Sequence, residues 1–343
     1  MTFGSTLGLT PKIGVYGICK DESLFIDRCL ASIEEADVIS FCDTGSTDDT
    51  VNKLENFSKD YHSNTIITQA HVDPWRFDDA RNIALFSLPA DVDICVSIDA
   101  DELLEPGWYE KLSAAVMKDL QATGKTADRY NHRFRTIWDW RAAGTSISEH
   151  WHERIHARHG FRWKLPVHEV LVKVDGTLET VGWIPELMMT QLPETSKARI
   201  YLPMLEQSAK EDPKRWKTFS FLAGEYQNAG KHDNAHGAID HALKLEDSDK
   251  AFLSYQKSGL YKLQGDVDMV INEMQNACRH APHVREYRVY LAQVYLSVGR
   301  RADAIATLEA ASKITVKTTG YEYNASCWGD VFYNFVKSIN EQT

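Results

Sequence analysis

The sequence lacks the signals of several common protein classes. Its six cysteines are scattered and form no CxxC pair, so neither a zinc site nor a disulfide framework is predicted. No apolar run reaches the roughly 18 residues of a membrane-spanning helix. The first residues also lack the charged and then apolar pattern of a signal segment. We therefore expect a soluble cytoplasmic protein with reduced thiols.

Three motifs of nucleotide and hydrolase chemistry are also missing. Without GxxxxGK[ST], GxGxxG or GxSxG, a phosphate-loop ATPase, a Rossmann dehydrogenase and a serine hydrolase are all disfavoured. Basic residues are not in excess, because 38 Lys and Arg stand against 49 Asp and Glu, giving a net charge of −11. No global positive field therefore attracts nucleic acid or an anionic membrane.

The first hundred residues alternate between two kinds of hydrophobic pattern, and 343 residues suffice for two domains. Strands are predicted at Ile13–Cys19, Asp37–Cys42, Thr65–Val72 and Ile94–Ile98, and helices at Asp21–Ala36, Thr47–Tyr61 and Asp78–Leu88. This order predicts a parallel sheet with crossover helices. In such sheets ligands bind outside the carboxyl ends of the strands.

The fourth strand ends in three acids, Asp99, Asp101 and Glu102. Residues two apart on a strand point to the same side, so Asp99 and Asp101 project together. Two carboxylates at a strand end suit Mg²⁺ or Mn²⁺, although acids are also common before a helix. Asp43 ends the second strand at the same sheet edge, and this third acid favours the metal interpretation.

The last 140 or so residues carry an internal repeat. Three sets of positions match at intervals of 35 and 34 residues: Tyr226, Tyr261 and Tyr295; Gly230, Gly265 and Gly299; Ala242, Ala277 and Ala311. The interval is typical of tetratricopeptide helix pairs, in which small residues let helices approach and glycine ends a helix. The alternative is an unrelated helical bundle. The segment Trp328–Ile339 is predicted to cap the stack.

The middle of the chain is rich in tryptophan. Five of nine tryptophans lie between Trp138 and Trp183, in a region with predicted strands at Tyr130–Trp138 and Val167–Val174. We expect most of these indoles to be packed in a core. An exposed indole would instead offer a stacking surface for a sugar ring.

The N-terminal part resembles family 2 glycosyltransferases with the GT-A fold. The resemblance covers roughly residues 10 to 190 and rests on Ile18–Glu22, Ala36–Thr50, Phe77–Asn82, the acids at 99–102, Trp163 and Val167–Glu169. It predicts a GT-A domain over residues 1–195, with a tetratricopeptide-like domain over 196–343. One departure is Asp21 before Glu22, where the family usually has Asn, and this leaves the contact there open.

The resemblance implies inverting, metal-dependent transfer of a sugar from a nucleotide-diphosphate sugar, with UDP the likeliest carrier by analogy. Asp43 matches the acid that recognises the base, and Glu22 a base or ribose contact. Asp99 matches a ribose or metal contact, and Asp101 the metal ligand that holds the diphosphate and supports catalysis. Ile18 belongs to the same donor-binding segment.

Further candidates come from the residues themselves. Arg81 is predicted either to contact the diphosphate or a sugar hydroxyl, or to pair with Asp78 or Asp79. Glu169 is the candidate general base that an inverting transfer needs. His168 is a candidate third metal ligand or phosphate contact, against a purely hydrogen-bonded loop.

Four other residues are weaker candidates. Asn82 follows Arg81 in the same turn and is a candidate for a second contact beside it. The pair His152–Glu153 ranks below Glu169 because no strand clearly presents it, and Asp139 is a further candidate base or acceptor contact.

The helical repeats suggest a macromolecular acceptor, because such solenoids usually present a concave surface to peptides. The combination is similar to bacterial peptide glycosyltransferases that carry helical repeats, although the repeats could instead form a homodimer. Two other functions stay open. One is a non-catalytic repeat scaffold with a relic first domain. The other is glycosylation of modified DNA bases, for which the basic cluster Lys210, Lys214, Arg215 and Lys217 is the only support.

Overall fold

The computed structural model describes residues 10–141, 147–194, 201–317 and 324–341. It divides into two compact units, Met1–Arg199 and Ile200–Thr343. The predicted domain boundary between residues 195 and 196 lies outside the described residues. Within the described part, every helix is too short or too polar to cross a lipid bilayer.

The first unit alternates strands and helices and then becomes rich in strands. Its strands are β1 Ile13–Cys19, β2 Val38–Asp43, β3 Thr65–Gln69, β4 Ile94–Asp99, β5 Glu102–Leu104, β6 Arg129–Ile137, β7 Ile147–Ala157, β8 Phe161–Lys164, β9 Val170–Lys173 and β10 Val181–Gln191. Its helices are α1 Ile26–Ser32, α2 Thr50–Asp60, α3 Phe77–Ser87 and α4 Trp108–Thr123. The alternation predicted for the first hundred residues is confirmed.

Eight strands form one sheet in the order β3-β2-β1-β4-β7-β6-β10-β5. The first four are parallel to one another, β7 is antiparallel to β4, and β10 is parallel to β6. Ile18 on the central β1 pairs with Cys42 on one side and Asp99 on the other. The carboxyl ends of β2, β1 and β4 therefore lie side by side. This register places Asp43 and Asp99 at one edge of the sheet.

The strands β1, β2 and β4 are buried because both faces of the sheet are covered there. Val15 and Val96 belong to the hydrophobic core that includes residues of α1 and α4, while Tyr16 and Cys95 pack with Leu85 of α3 on the other side. Strands buried on both faces read as continuous apolar runs, which is why their positions could be predicted. All six cysteines are free thiols.

The tryptophans contradict the expectation of a mostly buried set. Trp163 is 6% exposed, but Trp138, Trp151 and Trp183 are 52%, 37% and 55% exposed. Trp151 and Trp183 lie on β7 and β10, and each is exposed between two neighbours that are partly or fully buried. One face of this part of the sheet is thus open to solvent, and aromatic residues occupy it.

The second unit is helical. Its helices are α5 Leu202–Glu211, α6 Trp216–Asn228, α7 His232–Leu243, α8 Lys250–Gln264, α9 Val267–His280, α10 Arg285–Ser297, α11 Arg301–Ser312 and α12 Gly329–Glu341, with a 3₁₀ turn at Ala325–Cys327. The consecutive pairs α6 and α7, α8 and α9, and α10 and α11 are the three predicted repeats. The fold class, a GT-A-like α/β unit followed by a helical repeat unit, is confirmed.

The matching positions of the repeat have the predicted roles. Ala242, Ala277 and Ala311 are fully buried, each in the second helix of a pair. Gly230, Gly265 and Gly299 follow α6, α8 and α10 with φ of 71°, 75° and 76°, a conformation that glycine adopts without steric cost. Trp328, Phe332 and Ile339 complete the core of the last pair, as predicted for a cap.

Candidate active site

Three carboxylates meet where β4 ends. Oxygens of Asp99, Asp101 and Glu102 all lie within 4.8 Å of one another, and we call these residues the acidic cluster. The cluster sits at the carboxyl end of the parallel strands. Its members are nevertheless in very different electrostatic surroundings.

Asp101 has the least compensated charge of the cluster. Burial, followed by repulsion from Asp99 and Glu22, raises its pKa to about 6. Gln191 Nε2 donates a hydrogen bond to Oδ2 over 3.3 Å, and the Leu192 N–H donates to the Asp101 carbonyl over 2.9 Å. A carboxylate destabilised by neighbouring carboxylates is one whose energy falls when a cation binds.

Asp99 is held between two arginines. Arg81 Nη2 lies 2.7 Å from Oδ1, and Arg154 Nη1 lies 2.9 Å from Oδ2. Burial opposes ionisation, but Arg154 and Arg81 outweigh it and hold the pKa of Asp99 below its ordinary value. Both oxygens of this carboxylate are therefore already satisfied by guanidinium groups.

Glu102 is the most deeply buried member of the cluster. Its side chain is fully buried, both its oxygens are 2.9 Å from Arg154 Nη1, and it accepts the Asp99 N–H over 2.8 Å. Burial and the nearby Asp99 and Asp101 raise its pKa to about 8, against the opposing attraction of Arg154. Proximity alone would group all three acids as cation ligands. The ion pairs of Arg154 engage Asp99 and Glu102, and cation binding by Asp101 stays a prediction.

Arg81 joins Asp99 to the candidate base. Its Nε lies 2.5 Å from Glu169 Oε1, and its guanidinium stacks 5.1 Å from the centroid of the Trp163 ring. Arg81 and Glu169 side chains are only 5% and 12% exposed. Arg154, Asp99, Arg81 and Glu169 thus form a continuous chain of alternating charges.

The alternative pairing of Arg81 with Asp78 or Asp79 is wrong. Arg76 pairs with Asp78 over 2.8 Å and lies 3.6 Å from Asp79. The buried face of α3 includes Arg81, which points into the sheet, whereas the Asp79 side chain is 56% exposed. Asp78 lies on the same buried face as Arg81 but is paired with Arg76, while Arg81 pairs with Asp99 and Glu169.

Neighbouring candidates have structural partners. The Asn82 amide pairs in both directions with the backbone of Trp163, over 2.9 Å each, so it ties α3 to β8. His168 has a left-handed backbone, with φ of 48°. Among the described residues it is not part of the acidic cluster, and its role as a third metal ligand stays a prediction.

Acidic residues in the loops that follow β1 and β2 hold those loops in place through hydrogen bonds. Asp43 is 3% exposed and accepts hydrogen bonds from Gly45 N over 3.1 Å and from Ser46 Oγ over 2.5 Å. Asp21 has φ of 53°, and its Oδ1 accepts the Thr47 N–H over 2.7 Å. Both Asp and Asn tolerate this backbone, and an amide oxygen could accept the same bond, so the departure from the family pattern preserves the loop.

Two less favoured candidates are not among the described residues that form the acidic cluster. The His152 ring packs 4.7 Å from that of Phe134, and burial, followed by Arg154, lowers its pKa well below the ordinary value. The neighbouring Glu153 side chain is 70% exposed. Asp139 lies just beyond the end of β6 and outside the acidic cluster.

Sequence reasoning missed Arg154, Gln191 and Arg28. Arg154 lies at an irregularity where Glu153 and Arg154 of β7 are opposite the single residue Asn131 of β6. Such a bulge changes the direction in which a side chain points, and no local sequence pattern predicts it. Arg28 stacks between Phe25 and Trp140, 4.6 Å from each ring centroid, and donates to the carbonyl of Leu192, whose N–H bonds to the Asp101 carbonyl.

Comparison with known proteins supports a family 2 glycosyltransferase domain in the first unit. Residues 17–171 match the family model described as glycosyl transferase family 2. No curated protein matches the chain. Two crystal structures of MamA are similar to part of it, one at 21% identity with a TM-score of 0.28, the other at 20% with 0.30.

The alignments to MamA cover 33% of this chain and 61% of that chain in the first case, and 41% and 85% in the second. The chain thus spans less than two thirds of the first of these relatives. TM-scores this low carry no argument about fold or function, and the helical repeat unit rests on its own structure.

Proposed function

We propose that this chain is a divalent-metal-dependent, inverting glycosyltransferase that uses a nucleotide-diphosphate sugar, with UDP as the favoured carrier. The observation that carries the proposal is the pair Asp99 and Asp101. One carboxylate is neutralised by two arginines, and the adjacent one is left uncompensated with its pKa raised to about 6. The pair lies at the ligand-binding edge of the sheet and within the segment that matches the family.

The residues fit a hard divalent cation such as Mn²⁺ or Mg²⁺. Asp101 would be the principal ligand, with Asp99 within reach, because carboxylate oxygens are the ligands these ions prefer. When bound, the cation would neutralise charge that develops on the diphosphate as the sugar departs. His168 is retained as a further proposed ligand.

The donor would occupy the edge of the sheet that is formed by the loops following β1 and β2. Glu22, Asp43 and the end of β1 at Ile18 surround this edge, and we assign the base and ribose contacts to them. Asp43 also accepts bonds from its own loop, which hold its carboxylate in a fixed orientation for the proposed contact. Asp99 is assigned to the ribose, because its arginine partners hold its orientation.

Glu169 is assigned as the general base. Arg81 pairs with one oxygen of the Glu169 carboxylate and so holds that carboxylate in a fixed orientation. A base with a fixed orientation can remove a proton from an acceptor that is bound in the matching position. In the proposed step the acceptor's nucleophilic atom forms a bond to the anomeric carbon while the carbon–oxygen bond to the diphosphate breaks. The acceptor's proton passes to Glu169, and attack opposite the leaving group inverts the anomeric centre.

The acceptor proposed here is a protein or peptide, supported by the helical repeat unit, whose surface suits extended chains. Dimer formation through the same repeats is the alternative use of that unit. The free thiols at all six cysteines favour a reducing compartment, which we take to be the cytoplasm.

A screen of nucleotide sugars, scored by nucleotide release with Mn²⁺, tests the proposal. We expect release with at least one donor, and its loss in Asp101→Ala. Asp60→Ala, at the exposed end of α2, is the matched control and should behave as the parent. Equal release by Asp101→Ala and the parent would refute the metal assignment. Failure of every nucleotide diphosphate to bind with Mn²⁺ would favour the non-catalytic scaffold.

A further inference from the structure

A pair of exposed tryptophans lies on β7 and β10, apart from the acidic cluster. The indoles of Trp151 and Trp183 are 37% and 55% exposed, and their centroids are 4.9 Å apart at an interplanar angle of 83°. Together with Asn131 and Arg133 of the intervening strand β6, we call these residues the tryptophan platform. The edge-to-face contact holds one indole upright against the other, so both have defined orientations.

The strand pattern explains why the platform faces outward. Trp151 lies between His150 and His152, whose rings pack against Phe134 on the inner side of the sheet. Successive side chains of a strand point to opposite faces, so the Trp151 indole leaves on the outer side. Arg133 is its direct cross-strand neighbour, and Trp183 is the neighbour of Asn131 on β10.

The charges around the platform cancel locally. Arg133 and Arg135 both pair with Glu149, over 2.6 Å and 2.8 Å, Arg135 also lies 3.6 Å from Glu105, and the exposed Glu153 lies 4.0 Å from Arg129. Each of these arginines thus has an acidic partner. A surface that grips phosphates or anionic lipid needs an excess of positive charge, which this one does not have.

The same charges argue against a protein partner. The buried centre of a protein interface is depleted in charged residues, and a stable interface covers about 800 Å² on each partner. Here the two indoles are bordered by Arg133, Glu149 and Glu153. This small aromatic area with polar groups at its margin suits a ring that has one apolar face and a polar circumference.

We propose that the tryptophan platform binds an uncharged carbohydrate chain. The apolar C–H face of a pyranose would stack on the open indole of Trp183. Asn131, Arg133 and Glu153 would meet its hydroxyl groups as hydrogen-bond donors and acceptors. This site is separate from the acidic cluster, requires neither metal nor nucleotide, and does not rest on the proposed transfer reaction.

The test uses the full chain and three neutral probes, maltohexaose, cellohexaose and chitohexaose, titrated by calorimetry and by tryptophan fluorescence. We expect saturable binding of at least one. Trp183→Ala and Trp151→Ala should each weaken it at least tenfold, while Trp183→Phe retains part of it. Trp138→Ala is the matched control, because Trp138 is 52% exposed and lies outside the platform. Thermal melts of all variants should match the parent.

Several results would overturn this inference. These are the absence of binding to all three probes, affinity unchanged in Trp183→Ala, or a preference for a sulfated oligosaccharide over the neutral ones. A parent dimer that Trp183→Ala converts to monomer would show that the face joins two copies instead. Nucleotide release by Trp183→Ala, measured with Mn²⁺, should equal that of the parent, so failure here is distinguishable from failure of the proposed transfer.

Discussion

Arg154 should be the most important single residue for stability at the acidic cluster. Its Nη1 is 2.9 Å from Asp99 Oδ2 and from both oxygens of Glu102, and its side chain is 17% exposed. Arg154→Leu would leave Glu102 buried without its cation, while Asp99 keeps Arg81. Breaking a buried pair on one side costs about 3–5 kcal/mol, and we expect about 3 kcal/mol at pH 8.

Glu102→Gln should behave very differently. An amide oxygen still accepts the hydrogen bonds from Arg154 and from the Asp99 N–H, while the negative charge near Asp99 and Asp101 disappears. Because burial and those two neighbours raise the pKa of Glu102 to about 8, its ionised form is disfavoured in the folded protein. We expect Glu102→Gln to change the unfolding free energy by less than about 1 kcal/mol.

The pH dependence follows from the same shift. A carboxyl whose folded pKa lies above its unfolded value gives most stability below the unfolded value and loses it as pH rises through the folded one. Removing Arg154 withdraws the attraction that opposes this shift. Glu102 of Arg154→Leu should then be protonated at both pH 5 and pH 8, whereas in the parent it is partly ionised and paired with Arg154 at pH 8, so the cost of Arg154→Leu should be smaller at pH 5. The double variant with Glu102→Gln should lose less than Arg154→Leu alone at pH 8.

Chemical denaturation provides the assay, with the first unit followed by labelling of its buried thiols, for example Cys95. A double-mutant cycle at pH 8 should give a coupling between Arg154 and Glu102 of at least about 1 kcal/mol. The reasoning is refuted if Arg154→Leu costs less than Glu102→Gln. A cost that is equal at pH 5 and pH 8 would also contradict it.

Three other predictions concern the metal, the base and the repeats. Because Asp101 has a pKa of about 6, the Kd for Mn²⁺ measured without nucleotide should rise about tenfold from pH 7 to pH 5, and a flat profile would point to another ligand. Glu169→Gln should still bind the donor in calorimetry while transfer falls about 100-fold or more, and unchanged turnover would move the base elsewhere. Ala277→Leu should lower the stability of the helical unit by about 1–3 kcal/mol in a thermal melt, because Ala277 is fully buried and leaves no room for a larger side chain. The control Ala229→Leu should have little effect, because Ala229 is exposed. Equal effects at these two alanines would contradict the predicted packing.

Local pattern was enough to predict the elements and the ends of the strands. The runs that became β1, β2 and β4 are apolar because both sides of a parallel sheet are covered, and the acids at 43, 99 and 101 stand out where those runs stop. The 34- and 35-residue interval predicted the helix pairs, since glycine and alanine recur where a helix ends and where two helices touch. These features depend on residues close together in the chain.

Tertiary structure alone decided which charges meet and which indoles are exposed. Arg154 reaches Asp99 from 55 positions away through a bulge in β7, and Arg81 reaches Glu169 from 88 positions away across the face of the sheet. Trp151 and Trp163 look alike in the sequence, yet one lies on an open sheet face and the other is buried. The physical reason is that periodicity specifies which residues share a face of an element, whereas the packing of distant elements determines what that face meets.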